Sequence, residues 1–181
     1  CVPKSRIIYN ERHESLARNR NNAAINSSCD YLCFLDSDII INEPSWLSRM
    51  ISLYESDNLT GIVGGGANTV GAVCWLHPSG LVTYSALSID DKKRYGKPLE
   101  VMMVMGHNML MKRNIFHEVG GFDEGFDPLN GEDADICIRT FLSGYKIMDL
   151  YVDVEHVGAQ GINNSVCRFS LEKRQALIIA S

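Results

Sequence analysis

The spacing of apolar positions along the chain switches repeatedly between a period of two and a period near 3.6, and the switches mark out the elements. Arg6 to Tyr9 reads as a short strand, and Ser15 to Asn26 as an amphipathic helix in which Leu16, Ala17, Ala23, Ala24 and Ile25 alternate with polar residues. Tyr31 to Leu35 is an unbroken apolar run, a strand, followed after three polar residues by a second run, Ile39 to Ile41. Pro44 opens a helix carrying Trp46, Leu47, Met50, Ile51 and Tyr54 on one face, closed by Asn58 to Gly61. Ile62 to Gly66 is a strand entering a glycine turn, and Ala72 to Leu87 holds one or two further extended segments.

The stretch 88–98 has no apolar period and reads as an exposed loop. Val101 to Met105 and Asn108 to Met111 read as core strands with methionine packing between them. Three helices follow: Asn114 to Val119 ending at Gly120-Gly121, Glu132 to Leu142 ending at Gly144, and Ser165 to Ile179. Strands alternating with helices predict an α/β chain of one domain, with a Rossmann-like, mainly parallel sheet flanked by helices and ligands at the carboxyl ends of its strands.

Composition narrows the partners. The chain has 181 residues, 45% of them apolar and 22% charged, enough to bury a core. A formal net charge of -5 leaves no basic footprint, which argues against a nucleic-acid partner. The six cysteines are scattered, with no CxxC pair, which disfavours zinc and fits a reducing compartment. Sequons at Asn26, Asn58 and Asn163 are too short a signal to place the chain outside the cell. No apolar stretch approaches the length of a membrane span.

Two acidic groups interrupt this apolar chain. Asp36-Ser37-Asp38 falls between the runs at 31–35 and 39–41, where an ionised carboxylate needs a cation or a hydrogen-bonding partner. Carboxylates at i and i+2 of an extended chain point the same way and can share a hard divalent cation that keeps positions for phosphate. The alternative is that both aspartates serve the turn or cap the next helix. Downstream, the glycine-punctuated stretch from Gly120 to Asp135 packs six carboxylates before and into a helix. Helix-dipole stabilisation accounts for one or two of them, and Phe122 and Phe126 can anchor the loop.

Taken in order, Arg18-Asn19, Phe34-Leu35-Asp36-Ser37-Asp38, Gly120-Gly121-Phe122-Asp123-Glu124, Gly131-Glu132-Asp133-Ala134-Asp135 with Arg139, Gly144-Tyr145 and Glu155-His156-Val157-Gly158 resemble family 2 glycosyltransferases of GT-A fold. The resemblance implies that Asp38 ligates a divalent Mn²⁺ or Mg²⁺ and that Asp36 contacts the nucleotide ribose or helps hold the metal. It implies Asp133 as the general base and Glu132 as the residue that orients the acceptor or the loop. His156 resembles a late histidine that completes the metal site, and Arg18 with Asn19 resembles the helix facing the nucleotide. His107 is a further candidate for the acceptor pocket, against a structural role.

The implied activity is metal-dependent, inverting transfer of a sugar from a UDP- or GDP-linked donor to a hydroxyl of a carbohydrate or lipid-linked acceptor. Its alternative is a non-catalytic, nucleotide-sugar-binding or scaffold remnant of such a domain. A nucleotidyltransferase also uses acids and metal, but the glycine-rich triphosphate loop is not visible. The family's opening strand-helix-strand has no counterpart before Arg6, so the expectation is an N-terminally truncated catalytic domain, 1–181, with an unpaired sheet edge that favours homo-oligomers. The expected setting is the cytoplasm or the cytoplasmic face of a membrane, reached through segments outside this sequence.

Overall fold

The computed structural model describes residues 14–66, 72–76, 82–86, 97–126 and 131–156 together with Ile8. The strand expected at Arg6 to Tyr9, apart from Ile8, most of the 88–98 loop and the helix expected at Ser165 to Ile179 lie outside the described residues. The elements are α1 (Leu16–Ile25), β1 (Tyr31–Leu35), β2 (Ile39–Ile41), α2 (Trp46–Glu55), β3 (Thr60–Gly66), β4 (Ala72–Leu76), β5 (Val82–Ala86), β6 (Leu99–Val101), β7 (Asn108–Lys112), α3 (Arg113–Glu118), a 3₁₀ turn (Glu124–Phe126), α4 (Glu132–Leu142), β8 (Lys146–Tyr151) and β9 (Val154–His156). Among the described residues no helix is long and apolar enough to cross a membrane.

The central sheet runs β1-β7-β3-β8-β6. β1, β3 and β8 share one direction, and β7 and β6 run against them, so the sheet is mixed, with β3 and β8 forming its directly paired parallel ladder. Helices α2 and α4 pack against β3, and α3 packs against β7. The α/β expectation holds. β1 is an edge of this sheet among the described residues.

Local chemistry sets the element ends. Ser15 caps α1, its side-chain oxygen accepting from the Arg18 backbone N–H at 3.1 Å, and the helix stops where Asn26 takes the C-cap. The core is a single cluster in which Met50, Ile62, Met109, Leu110, Met111, Ile136 and Ile147 are fully buried. Each such side chain stabilises the fold by about 1.5–3 kcal/mol. Met50, Met109 and Met111 thus fill the core, as their place in apolar stretches predicts, while Met102, Met103 and Met105 stay half-exposed.

Two elements differ from the sequence pattern. The strand expected from Val101 to Met105 begins at Leu99 and ends at Val101, because the chain then leaves the sheet and crosses β3. There Val104 lies so close that a Cβ on Gly64 would sit 2.4 Å from the Val104 Cβ. The second is β8, which the pattern missed: Asp149 interrupts its apolar residues, yet it is 3% exposed at the heart of the sheet.

Candidate functional site

The site forms where β1 ends. Asp36 leaves the strand with its N–H donating to the His107 carbonyl at 3.1 Å, and the Asp36 carbonyl accepts from Ile39 N–H at 3.4 Å. Asp36-Ser37-Asp38 is therefore a turn, and the turn reading of these aspartates is correct for the backbone. It does not account for the Asp36 side chain, which turns inward to an arginine.

That arginine is Arg20. On α1, Ala17, Arg20 and Ala24 are the buried residues, spaced i, i+3, i+7, so Arg20 occupies an otherwise apolar stripe. Its Nη2 donates to Asp36 Oδ1 at 2.7 Å and to the Gly106 carbonyl at 3.1 Å, and its Nη1 donates to Glu132 Oε1 at 2.9 Å. The guanidinium carbon lies 5.3 Å from the Phe122 ring centroid. A cation shielded from water between two carboxylates, a carbonyl and an aromatic face has its desolvation offset by charge-assisted hydrogen bonds.

Helix α4 presents the second acidic group. Gly131 adopts φ 129°, a conformation that favours glycine, and positions the helix start without a side-chain cap. Glu132, Asp133 and Asp135 occupy the first turn, where the exposed N–H groups favour negative charge. Glu132 is 4% exposed and its Oε2 accepts from Gly131 N–H at 3.0 Å. Burial, then the charge of neighbouring Asp133, pushes the Glu132 carboxyl up to about 7, with Arg20 pulling the other way.

Asp133 is half-buried, with one oxygen accepting from Gly106 N–H at 3.1 Å and the other from Ala134 N–H at 2.8 Å. Gly106 thus touches both acidic groups, its carbonyl on Arg20 and its N–H on Asp133. A Cβ there would meet Arg20 Nη1 at 2.6 Å.

Asp135 pairs with Arg139, whose Nη2 also donates to the Gly121 carbonyl at 2.7 Å, tying α4 to the Gly120-Gly121 turn. Phe122 and Phe126, both buried, anchor that loop as the sequence implied. Phe122 packs edge-on against Phe34 with centroids 5.0 Å apart.

The structure therefore brings Asp36, Glu132 and Asp133 together around Arg20 and Gly106. It places Arg18 and Asn19 on the same turn of α1 but off the buried face of Arg20: Arg18 pairs with Glu124 at 2.8 Å and Glu14 at 3.1 Å, and Asn19 donates to the Glu14 carbonyl at 3.3 Å. His107 is 5% exposed, beside Gly106. The β2-β9 ladder sets the backbone of His156 opposite Ile39, the residue after Asp38. Arg20 does not stand out in the sequence because it lies in the polar run Arg18 to Asn22 of α1. The signal available was a lone cation at an apolar-face position of α1.

Asp36 and Asp38 offer hard carboxylate oxygens from one turn, a donor type that fits Mg²⁺ or Mn²⁺. Among the described residues no three His, Cys, Asp or Glu side chains form a ready-made cluster.

Comparison with known proteins gives both family and fold matches. The profile "Glycosyl transferase family 2" matches residues 2–120, and "N-terminal domain of galactosyltransferase" matches residues 91–159. Among curated proteins the chain is 28% identical over 173 residues to "Probable N-acetylgalactosaminyltransferase 9" of Caenorhabditis elegans, covering 86% of this chain and 29% of that protein. It is 24% identical over 160 residues to "Inactive polypeptide N-acetylgalactosaminyltransferase-like protein 5" of Mus musculus, covering 81% and 37%. It is 26% identical over 140 residues to "Glucosyl-dolichyl phosphate glucuronosyltransferase" of Haloferax volcanii, covering 73% and 44%.

Among solved structures, GalNAc-T7 with UDP, GalNAc and Mn²⁺ superposes with a TM-score of 0.68 at 20% identity, over 87% of this chain and 33% of that one. The mannosyltransferase PcManGT of Pyrobaculum calidifontis with GDP-Man and Mn²⁺ gives 0.55 at 15% identity, over 94% and 44%. Both are likenesses of GT-A fold. The chain spans less than half the length of each of these relatives.

Proposed function

Because the chain belongs to glycosyl transferase family 2, we propose that it carries the donor- and base-bearing part of a metal-dependent, inverting transferase that moves a sugar from a UDP- or GDP-linked donor to a hydroxyl of a carbohydrate or lipid-linked acceptor. The observation that carries this reading is the junction at Arg20, which holds the turn bearing Asp36 and Asp38 against the helix start bearing Glu132 and Asp133. A diphosphate-linked sugar has a polar, acid-lined place at each end there.

Asp38 and Asp36 would hold the divalent cation, with His156 beside them. When bound, that cation neutralises charge gathering on the departing nucleoside diphosphate. Asp133 is the base of choice within the acidic pair: it is the more accessible carboxylate, and two backbone N–H groups fix its orientation. An acceptor hydroxyl is a weak nucleophile, and a positioned carboxylate taking its proton accelerates attack by about 10²–10⁴. Glu132, buried and tied to Arg20, orients the helix start and does not reach an acceptor.

Calorimetric titration with UDP and with GDP, each with and without Mn²⁺, tests the donor half. Mn²⁺-dependent affinity for one nucleotide is expected, weakened at least about tenfold by Asp38→Ala, which removes a charged ligand. Absence of metal-dependent binding to either nucleotide refutes the reading. A non-catalytic, nucleotide-sugar-binding domain is the second reading, favoured by the likeness to a protein described as inactive. Nucleotide binding without transfer to any acceptor would select it.

A further inference from the structure

We infer that Arg20 is a positioning residue that couples the Asp36 turn to the Glu132–Asp133 pair, so that a change of charge at one acidic end is felt at the other. The inference rests on the functional reading above for its consequence, and on geometry alone for the coupling. The Arg20 side chain is 8% exposed and spends its fork on three acceptors from three separate segments: Asp36 after β1, Gly106 before β7 and Glu132 at the start of α4. A planar, permanently charged fork of fixed geometry answers to both carboxylates at once, so removing one lets it shift toward the other.

The link reaches Asp133 through the backbone. Gly106 gives its carbonyl to Arg20 and its N–H to Asp133, and the space a side chain would need at Gly106 is taken by the guanidinium. Phe122 closes the other side of Arg20. Charge on Glu132 draws Arg20 away from Asp36 and leaves Asp36 more negative. Removing that charge hands Arg20 to Asp36, which makes Asp36 a poorer partner for a cation.

The test uses the full chain at about pH 8, where Glu132 carries its charge, and two cycles, each run with Arg20 and with Arg20→Met. In the first, in EDTA, unfolding of the wild type, Asp36→Asn, Glu132→Gln and the double variant is compared. Non-additivity of about tenfold in the folding constant is expected with Arg20 present, since a shared partner produces it, and a value changed at least about threefold with methionine, where only the direct repulsion of the two carboxylates is left; the same value in both backgrounds overturns the role of Arg20. In the second, UDP and GDP affinity in Mn²⁺ is measured. Glu132→Gln should weaken it about tenfold when Arg20 is present and leave it unchanged when Arg20 is methionine.

A residue that merely props up the fold would move the first cycle and not the second. Additivity in EDTA overturns the coupling even if nucleotide binds. A wild type that binds neither nucleotide sinks the functional reading, while the EDTA cycle still decides the fate of Arg20. If Arg20→Met does not fold, Arg20→Lys supplies charge without the fork. The non-additivity should then fall at least about threefold, and its full retention would overturn the two-armed geometry.

Discussion

Glu132→Gln should abolish a pH dependence of stability that belongs to this one carboxyl. Burial and the Asp133 charge lift it from 4.5 to about 7 in the folded chain. Between those values the folded protein holds a proton that the unfolded chain has already released. Rising pH therefore favours unfolding, by up to about 1.4 kcal/mol per unit. Over the whole interval the cost is on the order of 3 kcal/mol, fully present above about pH 7 and absent below about pH 4.5.

Glutamine keeps the shape and an oxygen for Arg20 without the titration. The assay is urea unfolding followed by tryptophan fluorescence, run on both proteins from about pH 4.5 to about pH 8. Glu43 and Glu124, whose carboxyls are held low by hydrogen bonds from Arg49 and Asn21 respectively, add stability that is lost on the acid side. That trend is common to both proteins and cancels in the difference. Variant minus wild type should climb by on the order of 3 kcal/mol across the window and then level off. A flat difference, or one falling with pH, would refute the environment assigned to Glu132.

Two further outcomes follow from the site and the sheet. Asp133→Asn, which keeps an oxygen for the Gly106 N–H and leaves the three acceptors of Arg20 in place, should leave Mn²⁺-dependent nucleotide affinity within about twofold while lowering transfer about 10²–10⁴-fold, and the wild-type product should show the opposite anomeric configuration from the donor by NMR; retained turnover moves the base elsewhere, and retained configuration rules out direct displacement. Gly64→Ala should cost about 1–3 kcal/mol by forcing a methyl against Val104, with Val104→Ala recovering part of it in the same background; an unchanged urea midpoint would show that the crossing segment yields.

The sequence carried much of this layout because local signals were unambiguous where they acted alone. β1 and β2 are bounded by polar residues on both sides, and α4 by positive-φ glycines at Gly131 and Gly144, so their limits could be read directly. Fold-level signals were weaker where tertiary packing overrode the pattern. β6 stops at Val101 because Val104 is needed over Gly64, and β8 tolerates a buried Asp149 that breaks its apolar run.

At the site the acids were legible and the cation was not. Asp36, Glu132 and Asp133 stood out as charges beside apolar runs or glycines. Arg20 looked like one more basic residue on a polar helix, and only its register with Ala17 and Ala24 marked it as inward. Gly106 could not be read at all, because its importance lies in main-chain atoms and in the lack of a side chain.

That last feature has a use in protein engineering. Since position 106 works through its peptide groups, the half-exposed Met102 and Met105 on the same crossing, which lie outside the core that Met103 packs against, are open to variation. Libraries built at these two methionines would vary the side chains beside Gly106 while leaving its charge geometry pinned, a starting point for redirecting acceptor choice in the proposed transferase.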